Sequence, residues 1–214
     1  RVYTPVVPSP LLVGIKTAHI YKKGFKIIFD FFLSVILLTG SFPFLVIIAL
    51  LIKLDSKGPI LYKQVRLGKD SQHFSLIKFR TMVQNAEQKS GPIWTKENDS
   101  RMTSIGKWLR RFYLDEIPQL FNVIRGEMSI VGPRPERPFF VRKIVLKYPS
   151  YLHRLSVKPG MTGFAQIHQS YDNNISDVGK KLEFDFFYIK RLNFILDLKI
   201  LIKTVLVMVS GKGR

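Results

Sequence analysis

Residues 27–52 read IIFDFFLSVILLTGSFPFLVIIALLI, a run whose one charged member is Asp30. A helix of about 20 apolar residues crosses the hydrocarbon core of a bilayer. A buried helix of a water-soluble core is usually shorter and keeps a polar face. The run therefore limits the fold more than any other feature, and two details weigh against a simple crossing. Gly40, Ser41 and Pro43 lie mid-run, and a proline inside a helix removes a backbone donor, crowds the preceding turn and kinks it. Both flanks are also basic: Lys16, Lys22, Lys23 and Lys26 precede the run, Lys53, Lys57, Lys63, Arg66 and Lys69 follow it, and residues 1–29 hold no acid. Basic flanks tend to stay cytoplasmic. The pattern favours a helix that enters, bends near Pro43 with Ser41 at the kink, and returns on the same side; a single crossing is the alternative. Asp30, near the start of the run, is expected at headgroup level.

Lys and Arg number 34 against 15 acids, a formal net charge of +19. That excess points to anionic partners: nucleic acid, a phospholipid surface or phosphorylated substrates. The chain has no cysteine, which excludes disulfides and cysteine-based metal sites. Phe, Ile and Leu occur throughout, which argues against disorder. The first residue is Arg1, which leaves open whether the chain is processed, is a piece of a longer protein or follows a further membrane region. No secretory signal pattern is visible. Pro5, Pro8 and Pro10 suggest an extended arm. We divide the chain into an N-terminal arm (1–21), a re-entrant membrane helix (22–56) and a following cytoplasmic domain (57–214).

After the membrane run, residues 60–66 and 73–79 flank the turn Gly68-Lys69-Asp70 and predict a β-hairpin. Residues 85–103 are polar, include Gly91-Pro92, and read as a loop or a short helix with a loop. An amphipathic helix with Lys107, Arg110 and Arg111 is expected over 105–114, and a second short helix over 118–125, stopped by Gly126. Residues 139–154 mix Phe139, Phe140 and Ile144 with Arg142, Lys143 and Lys147; they suit an anionic membrane surface or a helix docked on the protein. Residues 158–163 form a glycine-rich turn, and 194–209 an apolar helix. The predicted class is α+β, mostly helical, with an N-terminal re-entrant membrane helix, a small β-hairpin and amphipathic interfacial helices.

Acids are scarce, so the pair Asp115-Glu116 beside Arg110 and Arg111 stands out. Nearby cations are expected to keep both carboxylates ionised, suited to nucleophilic attack or Mg²⁺ binding. The plain alternative is that Asp115 caps the following helix; Pro118, lacking an N–H, weakens it. Arg134, held between Pro133 and Pro135, is pre-ordered for phosphate recognition or is a solvated turn residue. Lys78 and Arg80 serve the same purpose or simply end a strand. There is no Walker loop and no GxGxxG, and His19, His73, His153 and His168 are scattered. Trp94 and Trp108 read as packing residues rather than ligand platforms.

Taken in order, these segments resemble the bacterial sugar transferases, the monotopic phosphoglycosyl transferases. The resemblance runs from about Lys22 to the C-terminus. It is carried by Lys-Lys-Gly-Phe-Lys-Ile-Ile-Phe-Asp (22–30), the apolar run with Pro43, Gly58-Pro59-Ile60, Arg66-Leu67-Gly68, Lys78-Phe79-Arg80-Thr81-Met82, Leu114-Asp115-Glu116-Ile117-Pro118-Gln119-Leu120, residues 126–135 (GEMSIVGPRP) and residues 158–163 (KPGMTG). Each is weak alone; the series is specific. The resemblance implies a re-entrant helix broken at Pro43. It implies that Asp115 is the nucleophile that takes a phosphosugar from a nucleotide diphosphate-sugar and passes it to polyprenyl phosphate. Glu116, with Asp115, would hold Mg²⁺ or position the reactants, and Arg134, Arg110, Lys78 and Arg80 would bind phosphates. The expected setting is the cytoplasmic face of a bacterial inner membrane, at the first step of surface-glycan assembly, with no nucleic-acid partner. Phe42 rather than Ser precedes Pro43, a departure that bears on the detail of the kink. The competing readings are a membrane-tethered basic nucleic-acid binder and an inactive scaffold. The sugar, the glycan pathway and the oligomeric state, homo-oligomer included, are left open.

Overall fold

The apolar run folds as one uninterrupted helix, α1 (Lys26–Asp55), entered through a π-helical turn at Tyr21–Phe25. The computed structural model describes residues 21–88, 91–94, 99–169 and 178–210; the arm expected over 1–21 lies outside them save for Tyr21. Pro43 is accommodated inside α1 without ending it. Two residues earlier, the Ser41 hydroxyl donates to the Leu38 carbonyl at 3.2 Å.

Burial along α1 is uneven, and packing explains it. Lys26, Asp30 and Ser34 are buried toward one end and Ile48 and Ile52 toward the other, while Phe42 and Phe44 between them are 63% and 66% exposed. Both ends dock on the same body. At the first end, Lys26 and the Tyr21 and Tyr188 hydroxyls converge on the Asp197 carboxylate, at 2.5, 2.8 and 2.8 Å. Asp30, expected among headgroups, is instead inside the protein, accepting from the Ser129 hydroxyl at 2.6 Å. At the second end, Ile48 and Ile52 pack with Phe79 and Leu109. There the Arg80 guanidinium donates to the carbonyls of Ile52, Ser56 and Lys57 at 3.3, 2.7 and 3.0 Å.

The hairpin forms as expected from β1 (Leu61–Leu67) and β2 (His73–Phe79), antiparallel with Leu61 opposite Phe79 and Leu67 opposite His73. β2 is the inner strand: Phe74, Leu76, Ile77 and Phe79 are buried. α2 (Ser104–Arg111) is capped by Thr103, whose hydroxyl accepts from the Gly106 N–H at 3.0 Å. A 3-10 turn, Leu114–Gln119, leads into α3 (Leu120–Ile124).

The glycine-rich turn at 158–163 has a structural use. It contains β4 (Gly160–Thr162), which pairs in parallel with β3 (Ser129–Val131). A Cβ on Gly160 would lie 2.0 Å from the Gly132 nitrogen, and one on Gly132 would lie 2.6 Å from the Lys158 carbonyl. Only bare backbones approach so closely, and this contact seats the turn that carries Arg134.

Residues 139–154 form two elements, α4 (Pro138–Lys147) and a 3-10 stretch, Pro149–Ser156. Phe140, Val141 and Ile144 of α4 face a core cluster with Tyr151 and Leu182. α5 (Val178–Arg191) and α6 (Phe194–Val209) close the chain. A larger cluster, including Leu76, Met128, Ile130, Tyr188 and Ile200, binds β2, β3, α5 and α6 together. Each such side chain contributes about 1.5–3 kcal/mol on burial.

Candidate active site

Between the hairpin, the segment 81–94, α2 and the 3-10 turn lies a cavity of about 710 Å³. Asp115 and Glu116 line it from the first turn of the 3-10 stretch. The chain enters that stretch through Tyr113 in the left-handed conformation, φ 57°, rare for a bulky residue. Asp115 is thus not a helix cap: Tyr113 holds the cap position, and among the described residues the Asp115 carboxylate accepts no hydrogen bond.

The two carboxylates differ sharply. Burial, then the neighbouring Glu116, push Asp115 up to about pKa 6, against the pull of Lys78, Arg110 and Arg134. The cations expected to keep this carboxylate ionised are present, but loss of water outweighs their pull and raises its pKa. Burial pushes Glu116 up, but Arg134, with Lys78 and Gln119, more than offsets it and holds the group below the usual carboxylate range. The Arg134 guanidinium grips Glu116 with both terminal nitrogens, at 2.5 and 3.1 Å. Lys78 is pushed down to about 8 by burial and then by Arg110. Arg110 is oriented through its Nε, which donates to the Thr81 hydroxyl at 2.8 Å.

Asp115, Glu116, Arg134, Arg110 and Lys78 are therefore brought to one cleft. Arg80 also borders it, but its Nη2 is hydrogen-bonded to Ile52 of α1 and to Ser56, and its Nη1 to Lys57 just past the helix. Arg111 lies against Phe112. Arg134 is fixed from behind: its carbonyl accepts from Arg154 at 2.9 Å, and Arg154 pairs with buried Asp185 at 2.7 Å. Sequence reasoning missed several wall residues. Arg66 pairs with Glu136 at 2.8 Å, and Arg137 pairs with Glu87 through two bonds of 2.7 and 2.9 Å. Trp94 packs as expected, stacked on Phe140 with centroids 4.8 Å apart, but it also lines the cleft.

Mg²⁺ takes one or two carboxylates from a protein, keeps several waters and completes its shell with substrate phosphates. Asp115 and Glu116 fit that pattern. They do not fit an ion caged by protein alone, since no group of three or more His, Asp or Glu side chains converges among the described residues.

The protein thus combines a long apolar helix with an exposed middle and a cleft lined by buried carboxylates and by cations. The bacterial sugar transferase family matches residues 21–211, and the chain belongs to that family. A UDP-N-acetylgalactosamine-undecaprenyl-phosphate N-acetylgalactosaminephosphotransferase of Aeromonas hydrophila is 38% identical over 97% of this chain and 47% of its own length. An undecaprenyl-phosphate glucose phosphotransferase of Komagataeibacter xylinus is 41% identical over 83% of this chain and 34% of its own length. The exopolysaccharide production protein PSS of Rhizobium leguminosarum bv. phaseoli is 39% identical over 86% of this chain and 96% of its own length. The chain thus spans half or less of the first two relatives and nearly all of the third. None of these names supports the nucleic-acid-binding alternative.

Proposed function

We propose that the chain transfers a sugar 1-phosphate from a UDP-sugar to a polyprenyl phosphate, undecaprenyl phosphate being the carrier named for its relatives. The observation that carries this reading is the Asp115 carboxylate: buried, without a hydrogen-bond partner among the described residues, and lining a 710 Å³ cleft beside Lys78, Arg110 and Arg134.

An Asp115 oxygen attacks the phosphorus next to the sugar. The bond from that phosphorus to the bridging oxygen breaks, and uridine monophosphate leaves with the electron pair. A phosphosugar stays esterified to Asp115. An oxygen of polyprenyl phosphate then attacks the same phosphorus and releases the carboxylate, giving polyprenyl diphosphate-sugar. The donor and the lipid phosphate repel each other, and Lys78, Arg110 and Arg134 offset that charge; fixed electrostatic stabilisation of this kind is commonly the largest catalytic contribution. Glu116 holds Arg134 in place. Asp115 or Glu116 would hold Mg²⁺, which would supply further neutralisation of phosphate charge.

In this reading α1 is re-entrant, with its ends on the cytoplasmic side of the inner membrane, and the cleft lies near the headgroups where the carrier phosphate is found. Reaction within a two-dimensional pool favours encounter, and the product starts a surface glycan.

The test uses UDP-sugar with a labelled β-phosphate. Without acceptor, label is expected on the wild-type protein and not on Asp115→Asn; with undecaprenyl phosphate, labelled lipid forms only with the wild type. Full transfer by Asp115→Asn ends the nucleophile assignment.

A further inference from the structure

The cleft is larger than its charged part requires. Cavities of about 300–1,000 Å³ enclose whole small-molecule ligands, and the lining of this 710 Å³ space includes aromatic rings and neutral amides as well as charged groups. Beside the paired Glu87 and Arg137 lies a second kind of surface. Trp94 and Phe140 present stacked rings with planes 24° apart, and Gln84, Asn85 and Gln88 border the same space. The side-chain amides of these three residues make no hydrogen bond among the described residues. The two portions are joined through 134–140: Arg134 grips Glu116, Glu136 pairs with Arg66, Arg137 with Glu87, and Phe140 carries Trp94. The Glu87–Arg137 pair ties the segment bearing the amides to the start of α4, so this wall is held in place before a ligand arrives.

Neutral amides and a flat aromatic face are poor partners for phosphate and good ones for a heterocyclic base. The base edge offers donors and acceptors in one plane, and its π-face stacks on an aromatic ring. We propose that Trp94, backed by Phe140 and sharing its cavity with the amides of Gln84, Asn85 and Gln88, is the subsite for the nucleoside base of the donor. This rests on the nucleotide-sugar reading above and deepens it. The sugar, by the same argument, lies away from Trp94, and the base sets the donor's register so that its sugar-bearing phosphorus reaches Asp115.

The experiment compares the wild type with Trp94→Ala and Trp94→Phe. Base–aromatic stacking predicts that Trp94→Ala raises the KM for UDP-sugar and the inhibition constant of uridine monophosphate by the same factor, about 5- to 150-fold. The KM for polyprenyl phosphate stays put, and Trp94→Phe recovers most of the loss. A rise in the donor KM with unchanged inhibition by uridine monophosphate makes the wall a sugar site and overturns the proposal. So does a loss that affects both substrates alike and is not recovered by phenylalanine. The chain has two tryptophans, so Trp108→Phe leaves Trp94 as the sole indole emitter, and this variant covers the case in which Trp94→Ala does not fold. Its fluorescence should change on titration with uridine monophosphate and not with inorganic phosphate; calorimetric binding of the nucleotide without a fluorescence change overturns the subsite alone. Absence of nucleotide binding to the wild-type protein ends the nucleotide-sugar reading and the subsite together.

Discussion

The Asp115 carboxylate bears the cost of its own setting, and pH should reveal it twice. Its pKa is pushed up to about 6, while an unfolded aspartate titrates near 4. Below about pH 4 both states hold the proton and no penalty exists. Between about 4 and 6 the folded state binds more protons, so stability falls as pH rises; above about 6 the penalty is complete. Asp115→Asn should therefore raise the unfolding temperature at pH 7, by about 1–3 kcal/mol in stability, with the gain vanishing near pH 4. A thermal melt of both proteins at the two pH values checks this. Under the proposed mechanism the same group sets the acid side of catalysis. A nucleophile must be ionised, so kcat/KM should fall tenfold per unit below about pH 6. Lys78, pushed down to about 8, loses its charge on the alkaline side, so the profile should be bell-shaped. Lys78→Arg should move the alkaline limb to higher pH and leave the acid limb near 6. A profile flat from pH 4.5 to 9 contradicts both assignments.

Arg80 shows how an element is finished by a residue that the sequence groups with the wrong neighbours. Beside Lys78 it reads as a phosphate ligand, yet its terminal nitrogens hold the end of α1. Arg80→Met should leave those carbonyls without their donor, at a cost of about 1–3 kcal/mol, and lower the melting temperature without raising the donor KM. Gly58→Ala should mimic it, because the new Cβ would lie 2.2 Å from Arg80 Nη1 at a φ of +123°. A raised donor KM with unchanged stability would return Arg80 to the phosphate site. Elements written in local pattern were legible: the hairpin follows from two alternating stretches around Gly68-Lys69-Asp70, and the last helix spans the 194–209 expected. Asp115, Glu116 and Arg134 were legible too, as rare acids and a proline-framed arginine. The break in 139–154 had a signal in Pro149. The parallel pair of β3 and β4 had none, being three residues each with 28 residues between Val131 and Gly160. The Glu87–Arg137, Arg66–Glu136 and Lys26–Asp197 ion pairs join residues 50, 70 and 171 positions apart, and only tertiary packing reveals them.

The whole molecule is organised by where α1 returns to the body. Thirty helical residues span about 45 Å, and a crossing would put about 30 Å of hydrocarbon between the two flanks. Yet Lys26 is tied to Asp197 at the first end, and the carbonyls of Ile52 and Ser56 to Arg80 at the second, both within one folded body. In the proposed re-entrant reading the exposed middle of α1 lies in lipid and both ends stay on the side of that body. The absence of native cysteine makes this testable with single thiols. Gly24→Cys and Gly40→Cys meet nothing within 4 Å, and Lys57 is exposed, so all three positions tolerate the change. With a membrane-impermeant maleimide, Gly24→Cys and Lys57→Cys should both stay unlabelled in intact spheroplasts and both react in inside-out vesicles. Gly40→Cys should resist reagent in both and react only once detergent replaces lipid. Labelling of either flank from outside intact spheroplasts, or opposite sidedness of Gly24→Cys and Lys57→Cys, means that α1 spans the membrane, and the cleft would then lose the geometric reason for standing at the headgroup layer.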